Sequence, residues 1–208
     1  MINTQNANDI NIQMWELDKT ECKTVLEGLG EQFEKPTAAY CFGSSDMLFL
    51  GHRDSCGDID LFVESETVLH RFGEVLYEAG FIMKNDFNDA SLSRAYHTSH
   101  FNYEGVSVKL DVTVRLPSGI TLSEPMRDRS IKLLESGYLT VYLLSEESLF
   151  FNELYTTRPT NVDKLSFLIQ AGLDAETIES EFHTQDKLVN KKIAVPQLWK
   201  ILKSVCID

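Results

Sequence analysis

The stretch from Ala38 to Val63, AAYCFGSSDMLFLGHRDSCGDIDLFV, constrains the fold more than any other part of the chain. It begins as an apolar strand, breaks at Gly43-Ser44 and re-enters a strand at Asp58. Side chains two apart on a strand point to the same face. Asp58, Asp60 and Phe62 therefore share one face, and Ile59, Leu61 and Val63 share the other. Two carboxylates side by side on a pleat repel each other and are poor strand formers, so the pair needs something to offset it. A divalent cation is the usual answer, because Mg²⁺ takes hard oxygen ligands and one or two carboxylates. Upstream, Gly43 lets a phosphate approach the backbone, and Ser44-Ser45 are placed to cap a short apolar helix from Met47 to Leu50. The start of such a helix offers an anion N–H donors and a positive dipole end.

At 208 residues the chain can bury a real core and form one domain, or one domain with a small appendage. No run is long and apolar enough to cross a membrane, and the polar start MINTQNANDINIQ is unlike a signal peptide. Cys22, Cys41, Cys56 and Cys206 are scattered without paired metal spacing, which suggests reduced thiols in a cytoplasmic protein. A formal net charge of −13 argues against a broad, non-specific grip on nucleic acid. It is compatible with metal–nucleotide chemistry, where the cation supplies the positive charge.

Beyond a loosely ordered, Asn-rich stretch 1–17, Asp18 opens a helix through about Phe33, and Pro36 punctuates its end. A second helix starts at Ser65 and ends at Gly80. Strands are predicted from Phe81 to Phe87, from Arg94 to Tyr103 and, after a Glu104-Gly105 turn, from Val106 to Leu116. In the last of these, Val106, Val108, Leu110, Val112 and Val114 lie on one face, and Ser107, Lys109, Asp111, Thr113 and Arg115 on the other. A helix is predicted from Ser123 to about Glu135 with Arg127, Arg129 and Lys132 exposed, then a strand from Tyr138 to Leu144 and a helix capped by Ser145. Leu149, Phe150 and Leu154 on that helix read as core. His97 and His100, three apart on a predicted strand, point to opposite faces, so the histidines make no site. The tail lysines Lys187, Lys191, Lys192, Lys200 and Lys203 are read first as the wet side of a helix, with an RNA-holding patch as the alternative.

Phe42-Gly43-Ser44, a spacer of thirteen residues, and Asp58-Ile59-Asp60-Leu61 resemble the signature of the DNA polymerase beta-type nucleotidyltransferase superfamily. The segment around Arg158 and Asp163-Lys164 resembles part of a pattern in its small prokaryotic branch, which includes abortive-infection toxins; the spacing there differs. The resemblance implies an α/β fold: a mixed α+β sheet in a nucleotidyltransferase-like core at 18–144, with a helical C-terminal region at 145–208 packed on it. It also implies a third carboxylate on a strand of the same sheet. Asp111 is the candidate, against the plainer reading of a solvent-facing residue with Lys109 and Arg115 as charge partners.

The expected reaction moves a nucleoside monophosphate from an NTP to a hydroxyl acceptor, with pyrophosphate released. Asp58, Asp60 and Asp111 would be the catalytic and metal residues, holding two Mg²⁺ ions, with Mn²⁺ an alternative. Gly43, Ser44, Arg53 and Lys164 would contact the nucleotide, although Lys164 is equally well read as a solvated surface charge. The acceptor is left open among RNA, protein and a small molecule. An antitoxin-like protein partner goes with the alternative reading, a catalytically degenerate nucleotide- or protein-binding module.

Overall fold

A computed structural model describes residues 16–84, 94–116, 118–155, 165, 168–170, 172–189, 196 and 199. Helix α1 (Lys19–Gly30) opens with a capping box: Asp18 accepts from the Thr20 and Glu21 N–H groups, and Glu21 accepts from the Asp18 N–H. Then come β1 (Thr37–Phe42), α2 (Gly43–Leu50), β2 (Ile59–Phe62), α3 (Glu66–Glu78), β3 (Met83–Lys84), β4 (Arg94–Thr98), β5 (Phe101–Tyr103), β6 (Val106–Val108) and β7 (Leu110–Arg115). The chain continues through α4 (Glu124–Asp128), β8 (Ile131–Ser136), β9 (Leu139–Leu143), α5 (Glu146–Leu154) and α6 (Ala175–Leu188). Ser65, Ser123, Ser145 and Asp174 cap α3, α4, α5 and α6 through their side-chain oxygens.

A seven-stranded sheet runs β3-β4-β7-β2-β1-β9-β8, and β5 pairs only with β6 in a separate hairpin. The large sheet is mixed: β1–β9 and β2–β7 are parallel, whereas β1–β2, β4–β7, β3–β4 and β8–β9 are antiparallel. The mixed α/β class expected from the sequence is the class observed.

Both faces of the sheet are covered. Ile59, Leu61, Val63, Leu110 and Val112 join Leu26 and Leu29 of α1 and Phe72 and Leu76 of α3 in one core. Phe62 and Tyr40 join Phe150 and Phe151 of α5, Ile178 and Phe182 of α6, and Trp199 in the other. Leu149, Phe150 and Leu154 are thus core residues, as the helical stripe implied. Gln185 fixes α6 against the chain before α4: its amide donates to the Thr121 carbonyl at 2.7 Å and accepts from the Thr121 N–H at 3.2 Å.

Three elements differ from the sequence-based expectation. The long hairpin over 94–116 bends, so each predicted strand is two. At the bend the Thr98 hydroxyl donates to the Leu110 carbonyl at 2.8 Å and accepts from the Leu110 N–H at 2.9 Å. A side chain therefore takes the backbone groups that a continuous ladder would use. Val106, Val108, Leu110 and Val112 all face one core across the bend, which is why alternation gives no hint of it. The helix predicted over 123–135 stops at Asp128, and Ile131–Ser136 instead pairs antiparallel with β9. Ser136-Gly137 is a turn signal that makes this hairpin, and sheet pairing overrides the helical reading. Arg129 is consequently turned inward, its Nη2 standing 3.5 Å from Oε2 of the buried Glu181. Of the strand predicted from Phe81 to Phe87, Met83–Lys84 is observed, and 85–93 lies outside the described residues.

Asp46 ties α2 to the end of β9. Its Oδ2 accepts from the Leu144 N–H at 3.0 Å, while Oδ1 is buried without a hydrogen-bond partner. Burial pushes this carboxyl well above the ordinary aspartate range, outweighing the Leu144 bond that lowers it.

Two outcomes follow from this packing. Gly30→Ala adds helix propensity, yet its Cβ would lie 2.5 Å from the Ser136 carbonyl oxygen. Urea unfolding should therefore show a loss of about 1–3 kcal/mol, because overpacking against backbone outweighs propensity. For Asp46, the folded state holds its proton to higher pH than the unfolded chain does. Its contribution thus falls as pH rises above the unfolded value, until the buried group also ionises. Asp46→Asn should match wild type near pH 3 and exceed it progressively from about pH 4 upward, read as the difference between urea midpoints; a constant difference across that range would refute the assignment.

Candidate metal and nucleotide site

Asp58 immediately precedes β2, Asp60 is its second residue and Asp111 is the second residue of β7. The parallel register sets Asp60 directly beside Asp111. One carboxylate oxygen from each of Asp58, Asp60 and Asp111 lies within 4.8 Å of the others, and all three residues are partly exposed. The structure therefore brings together the three acids that the sequence nominated.

The loop that delivers Asp58 is held from behind. Leu17 and Cys56 exchange both backbone hydrogen bonds, at 2.7 and 3.0 Å, and the buried thiols of Cys56 and Cys22 stand 3.6 Å apart. Burial and the neighbouring Cys56 sulfur push the Cys22 thiol far above its ordinary pKa, with the contact to Cys56 the larger cause, so it stays protonated. Cys22, Cys41 and Cys56 are all free thiols.

Gly43 makes the turn that faces the acids. Its φ is +63°, and a Cβ there would stand 3.0 Å from Oδ2 of Asp60. A larger residue would be strained and would crowd the carboxylate. Ser44 and Ser45 do not cap α2, contrary to expectation. The helix already begins at Gly43, its N-cap is Phe42, and no side chain caps it. The two hydroxyls fall inside the first turn and reach sideways to β2. Ser44 Oγ donates to Oδ1 of Asp58 at 3.3 Å, and Ser45 Oγ accepts from the Asp60 N–H at 3.2 Å. The first N–H groups of α2 thus lack a side-chain cap and sit beside the acids, an arrangement suited to an anion.

His97 is a site residue the sequence reading missed, and Lys109, weighed there only as a charge partner of Asp111, bridges two of the acids. Lys109 Nζ donates to Oδ2 of Asp58 at 2.9 Å and to Oδ2 of Asp111 at 2.7 Å. Its place two residues before Asp111 on one strand face was legible; that it reaches across to Asp58 depends on the β2–β7 pairing. His97 lies opposite Asp111 in the antiparallel β4–β7 register, with Nδ1 3.1 Å from Oδ2 of Asp111. The expectation that no histidine joins the site is corrected on this point, because a non-local register decides it.

Asp111 also accepts the Thr98 N–H at 3.2 Å. Burial alone would raise its carboxyl pKa, but hydrogen bonds from His97 and Lys109 prevail and hold it below the ordinary range. Burial likewise works against the Lys109 ammonium, and the bonds to Asp111 and Asp58 more than restore it. Both groups are charged around neutral pH. The donor set is three hard carboxylate oxygens, which fits Mg²⁺ or Mn²⁺ and not a soft metal.

Of the other nominated residues, Arg53 is half-buried in the loop between α2 and β2, and no ion pair joins it to these acids among the described residues. Lys164, with Arg158 and Asp163, lies outside the described residues, as do Lys191, Lys192, Lys200 and Lys203. Among the described residues, no helix is long and apolar enough to cross a membrane.

The chain matches no family model and no curated protein. Among solved structures it is similar to a nucleotidyltransferase-like antigenic protein of Paracoccidioides brasiliensis, at 13% identity and a TM-score of 0.46, over 86% of this chain and 97% of that one. It is similar to a candidate nucleotidyltransferase of Thermotoga maritima at 16% identity and a TM-score of 0.43, over 84% of this chain and 96% of that one. A candidate nucleotidyltransferase from H. pylori is 17% identical with a TM-score of 0.42, over 80% of this chain and 73% of that one.

Proposed function

We propose that the protein is a metal-dependent nucleotidyltransferase, moving a nucleoside monophosphate from an NTP to a hydroxyl acceptor on RNA, a protein or a small molecule. The observation that carries this reading is the meeting of Asp58, Asp60 and Asp111 from neighbouring strands beside a glycine turn and an uncapped helix start. Three carboxylates at this separation favour positive charge among them, and Asp58 and Asp111 already share the Lys109 ammonium. The glycine turn at Gly43 supplies the neighbouring space for a polyphosphate.

In this reading Asp58, Asp60 and Asp111 hold the divalent ions. Bound there, such ions neutralise phosphate charge and polarise the oxygens of the displacement. The chain's own contributions are then separable. The Ser44 hydroxyl orients Asp58, and the Ser45 hydroxyl holds the Asp60 backbone. The N–H groups at the start of α2 receive phosphate oxygens. Asp111 accepts the proton of the incoming hydroxyl. His97 and the Thr98 N–H fix the orientation of the Asp111 carboxylate.

A second reading has a specific observation in its favour. Asp58 and Asp111 already receive protein donors on both oxygens, from Ser44, Lys109, His97 and Thr98. A site satisfied in this way suits a non-catalytic module that binds a nucleotide or a partner protein of antitoxin type. Pyrophosphate release from Mg-NTP across a panel of acceptors separates the two.

Asp60→Ala is the direct test. With an unchanged circular dichroism spectrum, it should weaken Mn²⁺ and Mg-NTP binding by at least about 100-fold, since losing a direct ligand exceeds losing a supporting group. Turnover should vanish. Retention of binding and turnover in the folded variant would overturn the assignment.

A further inference from the structure

Lys109 sits where a cation would sit. Its ammonium bridges Oδ2 of Asp58 and Oδ2 of Asp111, at 2.9 and 2.7 Å, and Asp60 pairs with Asp111 in the sheet register. These are distances of strong charge-assisted hydrogen bonds. The side chain is only 19% exposed, so the contact is built into the site and is not a chance meeting at the surface. Lys109 stands between β6 and β7; its carbonyl accepts the Ile59 N–H at 2.9 Å as part of the β2–β7 pairing, which fixes the residue against β2. The backbone is thereby held, and only the four-carbon side chain would have to move for the ammonium to leave. A lysine ammonium is a compact point charge on a flexible stem, well suited to be exchanged for another cation.

We propose that Lys109 is a displaceable internal cation, holding the position between Asp58 and Asp111 until a divalent ion takes those same two oxygens. The inference rests on the metal-site reading above. An ion cannot coordinate either Oδ2 productively while Nζ lies between them, because both would compete for the same lone pairs and would repel each other. Metal loading is therefore an exchange of one cation for another, and its affinity is set partly by the hold of Lys109. Without metal, the ammonium offsets the repulsion between Asp58 and Asp111 across β2 and β7. With metal, the displaced ammonium remains on the site face, charged and able to meet an incoming polyanion. Lys109 is in these terms a positioning residue for the acids, distinct from the metal ligands themselves.

The test compares wild type, Lys109→Met and Lys109→Gln by calorimetric Mn²⁺ titration without nucleotide, and by thermal unfolding with and without Mn²⁺. Lys109→Met keeps length and apolar bulk but removes the competing charge, and should bind Mn²⁺ about tenfold or more tightly than wild type. Its metal-free form should melt below wild type, and Mn²⁺ should raise its melting temperature by more than it raises that of wild type. Lys109→Gln, which keeps hydrogen-bonding capacity without charge, should behave in the same direction and serves if Lys109→Met does not fold. Unchanged or weaker Mn²⁺ affinity in both variants, with Asp60-dependent binding intact in wild type, overturns the exchange while leaving the metal-site reading standing. Absence of Mn²⁺ binding in wild type and in both variants overturns both.

Discussion

The parallel pairing of β2 with β7 is the constraint on which the site depends. Its register sets Asp60 beside Asp111, and the chain just before β2 adds Asp58 to the same cluster. Like charges in such positions oppose sheet formation. The fold tolerates them because the strands are buried on their other face, where Ile59, Leu61, Leu110 and Val112 are fully enclosed. Each such side chain is worth about 1.5–3 kcal/mol of burial, enough together to hold a register that electrostatics alone would reject.

The local repulsion is met by donors from four residues at three places in the chain. Lys109 contributes a charge, His97 a ring nitrogen, Thr98 a backbone N–H and Ser44 a hydroxyl. Thr98 has a double role, since its hydroxyl also occupies the backbone groups of Leu110 where the long hairpin bends. The bend and the site are therefore one feature. Where the long hairpin bends, the Lys109 backbone stays tied to β2 through its carbonyl, and its side chain reaches the acids.

On the proposed function, an acidic protein has to suit an anionic substrate. A chain of net charge −13 cannot attract a polyphosphate by its overall field. On that reading, such attraction would be local, from the start of α2, from Lys109 and from cations that the acids would hold. The Gly43 turn lets the start of α2 lie close to the acids, because a Cβ at that position would crowd Oδ2 of Asp60 at 3.0 Å.

The sequence alone determined which residues are the candidates for the site. Gly43-Ser44, Asp58-Ile59-Asp60 and the alternating strand bearing Asp111 were readable because period-two patterning and glycine turns are local properties. Most caps and the α5 stripe were readable for the same reason. Tertiary structure alone decided the rest. Whether Lys109 was a surface charge or the bridge between Asp58 and Asp111 depended on which strand lay beside β7. Whether His97 was idle or bonded to Asp111 depended on the β4 register. The segment Ile131–Ser136 became a strand because β9 was there to pair with it. Each of these outcomes is set by partners far away in the chain, whose registers no local pattern encodes.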